Sequence, residues 1–338
     1  MPRATEPSNH PLPAADTEAL THPLPGLEPD NLLAILALLG LLRALEFAKP
    51  DWRVRARWNC QTAPIRPELS LREPVTRGVL IEATVIGCQH LAAAYDFDSL
   101  GKTWEFPKLH GDVLREQMHA AIKLGPSGRP RASVLSSLAS DAVRDEDGTV
   151  KPNRLCVLRG AGHQHFIARL SQHARMQSRH TKPRDRPRPP ATAIARALFQ
   201  SWERADALPT LHWDAWFNRS WAYRFDNPKE HPERIEAGAY YLATIGFSLL
   251  TVSAGTERGH LALRSTLVQE DAAGTAAVWP IWSRPLSLPS IRVLLTHPAL
   301  YPGPAAHAER ERLGIREVRR AMRVWVGDYE HFTRGVTS

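Results

Sequence analysis

Eleven apolar residues run without interruption from Leu32 to Leu42. A helix made of them is apolar on every face, so it cannot lie on a surface with one side wet; it demands burial on all sides. The run falls well short of the roughly 20 residues that span a bilayer. It also lies too far from Met1, behind a Pro-rich leader, to act as a signal peptide. A soluble protein is therefore expected. Asp30 is the expected N-cap, with the helix running to about Phe47 and stopping at Lys49-Pro50. Gly40 in its middle costs about 1 kcal/mol against Ala, so its expected compensation is close packing against another backbone.

Enclosing such a helix takes a large core, and 338 residues at 43% apolar can supply one. That excludes wholesale disorder as well as collagen-like, coiled-coil and disulfide-scaffold chains. Cys60, Cys88 and Cys156 are isolated in sequence, which encodes neither a zinc ribbon nor a disulfide framework and fits a reduced cytoplasm. Changes of composition and period divide the chain into a flexible leader (1–25), an N-terminal α+β region (26–174), a basic Pro-rich linker or loop (175–190) and a C-terminal α+β region (191–338) ending in a helix. The fold class read from this is α+β, with mixed helices and short antiparallel sheets.

Helices are expected over 77–95, 111–123, 163–176 and 193–205, a short strand over 154–158, and extended chain at Trp279-Pro280-Ile281-Trp282. An amphipathic C-terminal helix is expected because Ile315, Val318, Met322, Trp325, Tyr329 and Phe332 recur at steps of three and four. Arg312, Arg316, Arg319, Arg320 and Arg323 gather on its opposite side.

The chain carries 43 Lys and Arg against 35 Asp and Glu, a net charge of +8, and 36 of the 43 cations are Arg. A GC-rich genome explains Arg over Lys; it explains less well why the arginines cluster. Arg53-Val54-Arg55-Ala56-Arg57-Trp58 alternates strictly, the pattern of a strand with Val54, Ala56 and Trp58 inward and three guanidiniums outward. Arg159-Gly160-Ala161-Gly162-His163-Gln164 is a Gly-containing turn before a helix, where backbone N–H groups can hold a phosphate, although an ordinary turn reads the same way. Arg175, Arg179, Lys182, Arg184, Arg186 and Arg188 face one acid, Asp185, among prolines, the composition of an exposed basic loop. Arg316 and Arg320 belong to the arginine side of the last helix. Each patch can contact a phosphate backbone, and each can equally be a solvated face. The aromatic stretch from Leu211 to Phe225 can stack bases, but such stretches more often build a core.

Catalytic signatures are lacking: there is no G-x-S-x-G elbow, H-E-x-x-H, P-loop or kinase set. Asp141, Asp145, Glu146 and Asp147 lie in turn-like segments with nothing to pair them. His163 and His165 have no third ligand at zinc-like spacing. A non-catalytic chain without cofactor or metal is the favoured reading; a metal-dependent nuclease-like enzyme using that His pair and a purely structural adaptor are the alternatives.

Several segments in order resemble the type I-U (also called I-G) CRISPR-associated large-subunit family. Gly26-Leu27-Glu28-Pro29 with Leu36 to Arg43 is similar to its N-terminal helix, and Arg159 to Ile167 to its Gly-rich turn and helix. Leu211-His212-Trp213-Asp214, Arg219 and Tyr223-Arg224-Phe225-Asp226-Asn227-Pro228 resemble its W-D…R-x-Y-x-x-x-x-D-P segment. Glu236 to Gly246 and Trp279 to Trp282 with Pro285-Leu286 complete the set. The resemblance implies a subunit of Cascade, the RNA-guided surveillance complex of antiviral defence. Its partners would be other Cascade subunits, crRNA and target double-stranded DNA, with a helicase-nuclease recruited transiently and no membrane. It also implies a part in recognising the protospacer-adjacent motif, base pairing reading the rest of the target. This chain is short for a Cascade large subunit, which leaves a role along the displaced strand unsupported.

Overall fold

The structure, a computed structural model, describes residues 17–97, 100–101, 104–157, 165–177, 187–216, 234–257, 259–303, 306–326 and 329–338. The helices are α1 (Leu32–Ala48), α2 (Arg77–Ala92), α3 (Gly111–Lys123), α4 (Arg129–Leu138), α5 (Phe166–Ala174), α6 (Pro190–Phe199), α7 (Ala237–Phe247), α8 (Leu288–Leu295) and α9 (Ala306–Leu313). The strands are β1 (Ala19–Pro23), β2 (Arg55–Asn59), β3 (Arg66–Val75), β4 (Ala139–Arg144), β5 (Val150–Pro152), β6 (Val252–Glu257), β7 (His260–Ser265), β8 (Val268–Asp271), β9 (Gly274–Trp282), β10 (Leu286–Ser287), β11 (Ile315–Val326), β12 (Tyr329–Phe332) and β13 (Val336–Thr337). The class is α+β, with every sheet antiparallel.

The all-apolar helix takes the central place its sequence demands: every residue of α1 from Leu32 to Leu42 is buried. Its cap is Asn31 rather than Asp30. Asn31 has extended backbone angles and its Oδ1 accepts from Leu33 N at 3.1 Å, while Asp30 lies in an ion pair with Arg334. Along α1 runs α7, buried at every position. The pairing is antiparallel, Gly40 lying against Leu242 and Gly246 against Leu36. Gly40 thus has the close backbone contact expected of it. α2 abuts α1 at Gly87 and Ala44, and α6 abuts α7 at Ala193 and Gly238. Because α1 and α7 come from opposite sides of the basic segment, regions 26–174 and 191–338 contribute to one hydrophobic cluster.

Two sheets flank the helices. The first has the order β1-β3-β2-β10 and the second β12-β11-β9-β8, with β13 also paired to β11. Trp58 of β2 and Trp282 of β9 meet edge to face at 6.2 Å, and Trp282 Nε1 donates to Ala56 O at 2.8 Å. Smaller hairpins are formed by β4 with β5 and β6 with β7. The stretch Arg77–Tyr95 is long and apolar enough by composition to cross a membrane, but 56% of it is buried inside the fold.

Three expectations are corrected. Residues 19–23, assigned to the flexible leader, form an edge strand on β3. Residues 154–157 are not a strand: Asn153 Oδ1 accepts from Leu155 N at 3.0 Å, turning the chain. The C-terminal amphipathic helix does not exist: the short helix α9 ends at Gly314, whose φ of +76° breaks it, and residues 315–326 are β11. Val318 is then in register with Pro280 and Ala321 with Ala277. Steps of three and four mark a helix only when no partner strand competes, and here β9 supplies the ladder; Trp325, placed on the supposed buried stripe, is 59% exposed.

Candidate nucleic-acid interface

The alternation in 53–58 translates directly into geometry. Val54, Ala56 and Trp58 are buried, and Arg53 and Arg55 are exposed. Arg53 closes a short 3-10 turn, Pro50–Trp52, in the left-handed region with φ +47°. From there β2 continues beside β3 with Arg55 opposite Ser70, Arg57 opposite Glu68 and Asn59 opposite Arg66. The partner strand has the same period: Pro67, Leu69 and Leu71 are buried, while Arg66, Ser70 and Arg72 lie on the outer side. Same-face residues of a strand sit about 6.6 Å apart, so guanidiniums of both strands are presented as an array.

One carboxylate tempers it. Glu68 accepts from Arg57 Nε at 3.0 Å and from Asn59 Nδ2 at 2.8 Å, and its side chain is only 12% exposed. Arg57 is thereby held inside the protein's own charge network. Arg53, Arg55 and Arg72 have no carboxylate partner among the described residues; Glu73, also exposed, follows Arg72 in the irregular end of β3. Exposed cations without internal partners keep their counterions in solution and can exchange them for phosphates.

Elsewhere the predicted residues are scattered. Arg188 donates from Nη1 to Asp206 Oδ2 at 3.1 Å and from Nη2 to Glu203 at 3.4 Å. Arg320 reaches Gln269 Oε1 at 3.0 Å and Asp271 Oδ2 at 2.8 Å. That hydrogen bond holds the Asp271 carboxyl below the usual range. Arg316 is exposed on β11, near Cys60 just past β2, and so lies on a strand of the second sheet rather than on a helix. Arg159, Gly160, Gly162, His163, Gln164, Arg179, Lys182, Arg184 and Arg186 lie outside the described residues.

The aromatic stretch resolves toward core where it is described. Trp213 is buried, stacks on Phe247 at 5.4 Å and donates from Nε1 to Leu155 O at 2.9 Å. Asp214 next to it accepts from Arg204 Nε at 2.6 Å and Asn31 Nδ2 at 2.9 Å, fastening this segment to the start of α1. Behind it lies a second buried group of acids. Burial, reinforced by Asp206, pushes the Glu236 carboxyl up to about 7, although it accepts from the backbone of Glu203 and Arg204. Among the described residues no three His, Cys, Asp or Glu side chains converge to hold a metal. Asp141 and Asp147, read as turn acids, bind Arg115 and Thr149.

Sequence reasoning overlooked Arg66 and Arg72. Their signal was available, since Arg66, Glu68, Ser70 and Arg72 alternate with Pro67, Leu69 and Leu71 just as β2 does. It also passed over Arg204 and Arg334, whose partners lie 10 and 306 residues away in the chain. Compared with known proteins, the chain matches no family model, no curated protein and no solved structure.

Proposed function

We propose that this chain is a non-catalytic, nucleic-acid-binding subunit of an RNA-guided surveillance complex of the type I-U Cascade kind. In it the chain contacts crRNA and target duplex, helps recognise the protospacer-adjacent motif, and leaves cutting to a recruited helicase-nuclease. The observation that carries the reading is the outer face of β2 and β3, where Arg53, Arg55 and Arg72 stand exposed without internal carboxylate partners among the described residues. The ordered resemblances from Gly26 to Leu286 support the assignment to this kind of complex. Contacts from such a face position backbones without reading sequence.

Co-expression with the neighbouring genes, followed by a pulldown assayed for bound crRNA, tests the subunit assignment. Duplex binding by the assembled complex across a salt series tests the face. Replacing Arg53, Arg55 and Arg57 with Ala should weaken binding and flatten the slope of log K against log salt by about 1 for each phosphate that is no longer neutralised. An unchanged slope removes the face from the reading. A complex that assembles but retains no nucleic acid at physiological salt favours the protein-protein adaptor instead.

A further inference from the structure

Beyond the arginine face, a surface pocket of about 290 Å³ opens between the loop before α1, the β2–β3 connection and β11. Its polar lining is Glu28, Asp30, Arg66, Arg319 and Arg334, with Ile65 on the apolar wall. The volume lies at the small end for ligand sites and admits one nucleotide-sized molecule, not a helix or a folded partner.

The guanidinium of Arg334 is held from several sides. Its Nη2 donates to Glu28 Oε2 at 2.8 Å, its Nε lies 3.1 Å from Asp30 Oδ2 at ion-pair distance without hydrogen-bond alignment, and it sits over the Trp216 ring at 5.0 Å. Trp216 does not line the pocket, whereas Arg334 does. A guanidinium plane fixed this way is a platform on which an unpaired base stacks. Asp30 Oδ1 accepts from no group among the described residues, and Glu28 Oε1 has only the distant Arg66 Nη2 at 3.9 Å. Both carboxylates line the pocket, are partly exposed and keep an oxygen open to a group that donates. The Arg319 Nε–H is buried with no acceptor, although the same side chain is paired with Glu317. A buried unsatisfied donor of this kind costs free energy until an acceptor arrives. Arg66, in register with Asn59, links the pocket to the arginine face; its Nε and Nη1 donate to Pro25 O at 2.8 Å and Ile65 O at 2.9 Å, which leaves Nη2 for a ligand.

We propose that this pocket binds a single unstacked guanine nucleotide. The base stacks on Arg334 and donates its N1–H and amino group to the Asp30 and Glu28 carboxylates, while Arg66 and Arg319 take the phosphate. Guanine offers two adjacent donors to acceptor-only carboxylates, and uracil offers one. The site is separate from the exposed arginines of β2 and does not depend on the Cascade assignment.

Calorimetric titration of the full chain with GMP, UMP and inorganic phosphate tests it. GMP should bind on the order of tenfold more tightly than UMP, the discrimination of one good bidentate pair, and phosphate more weakly than either. Ile65→Trp, which fills the pocket and keeps every charge, should abolish GMP binding. Arg319→Gln, which leaves Ile65 in place, should weaken GMP and UMP alike. Thermal melts unchanged from wild type certify both variants. Absence of GMP binding, UMP or phosphate binding as tightly as GMP, or GMP binding retained in the Ile65→Trp protein each overturns the proposal. None of these results alters the crRNA pulldown, so the two readings fail separately.

Discussion

Gly40 and Gly246 are packed backbone to backbone: a Cβ on Gly40 would lie 2.9 Å from Gly246 N and 1.7 Å from Leu242 O, and one on Gly246 would lie 2.7 Å from Gly40 N. An alanine normally favours a helix by about 1 kcal/mol over glycine. Here the neighbours are main-chain atoms of the two central helices, which cannot step aside. Gly40→Ala and Gly246→Ala should each destabilise by roughly 1–3 kcal/mol or more, the range of overpacked cores. Urea unfolding measures it, and a midpoint at or above wild type contradicts the packing.

Asp214 is the hub of a buried ion pair that joins α1 to the segment after α6. Asp214→Ala leaves the Arg204 guanidinium and the Asn31 amide without their acceptor. The expected loss is about 3 kcal/mol, the low end for a severed buried pair, because the Arg204 side chain is 23% exposed. Asp214→Asn keeps one acceptor and should lose less. Denaturant midpoints of the two variants compare them.

Stability should depend on pH through Glu236. Its folded carboxyl titrates near 7 against an ordinary value of 4.5, so the native state holds a proton that the unfolded chain releases. This contribution is fully present below about 4.5 and is lost as pH rises to 7. Glu236→Gln should therefore gain on wild type when the buffer is moved from pH 5 to pH 8. Melting temperatures at the two values supply the comparison, and an equal difference at both refutes the shift.

His173 and His212 work in the opposite sense. Burial lowers His173 to about 4 and His212 to about 3 from an ordinary 6.5. Their stability is present above 6.5 and is lost as pH falls toward those values. Their contribution falls as pH drops from 6.5 to 4.5, His331 adding to it and the burial-raised carboxyls of Glu46, Glu105 and Glu236 opposing it. In Glu236→Gln, where one opposing carboxyl is gone, stability should fall more steeply over that range than in wild type.

Glu68 neutralises Arg57 on the outer face. Under the proposed function, Glu68→Gln releases that guanidinium to neutralise about one more phosphate, steepening the salt slope by about 1. Duplex binding at several salt concentrations reads the change, and a slope equal to wild type means that Arg57 stays outside the interface.

Legibility in the sequence followed the range of the interactions. The outward arginines of β2 and the span of α3 could be read because their periods are local, and Lys49-Pro50 stops α1 within the chain itself. The fate of residues 315–332 could not, since apolar spacing there suits a helix and the deciding partner, β9, comes from elsewhere in the chain. For the same reason Arg55 was legible as exposed but Arg57, Arg188 and Arg320 were not legible as paired. Whether an arginine is free depends on which acceptor the fold delivers, and Asp206, Gln269 and Asp271 arrive through tertiary structure.

The union of α1 with α7 also sets a clock on synthesis. Leu36 leaves the ribosome about 200 residues ahead of Gly246, and at about 5–20 residues per second that is an interval of roughly 10–40 s. Throughout it, a helix with no polar face has α2 beside it but lacks α7, the partner that lies along it. The face awaiting α7 must be shielded by a chaperone or by provisional contacts, and truncated chains ending before Ala237 should accumulate as aggregates rather than as a folded half.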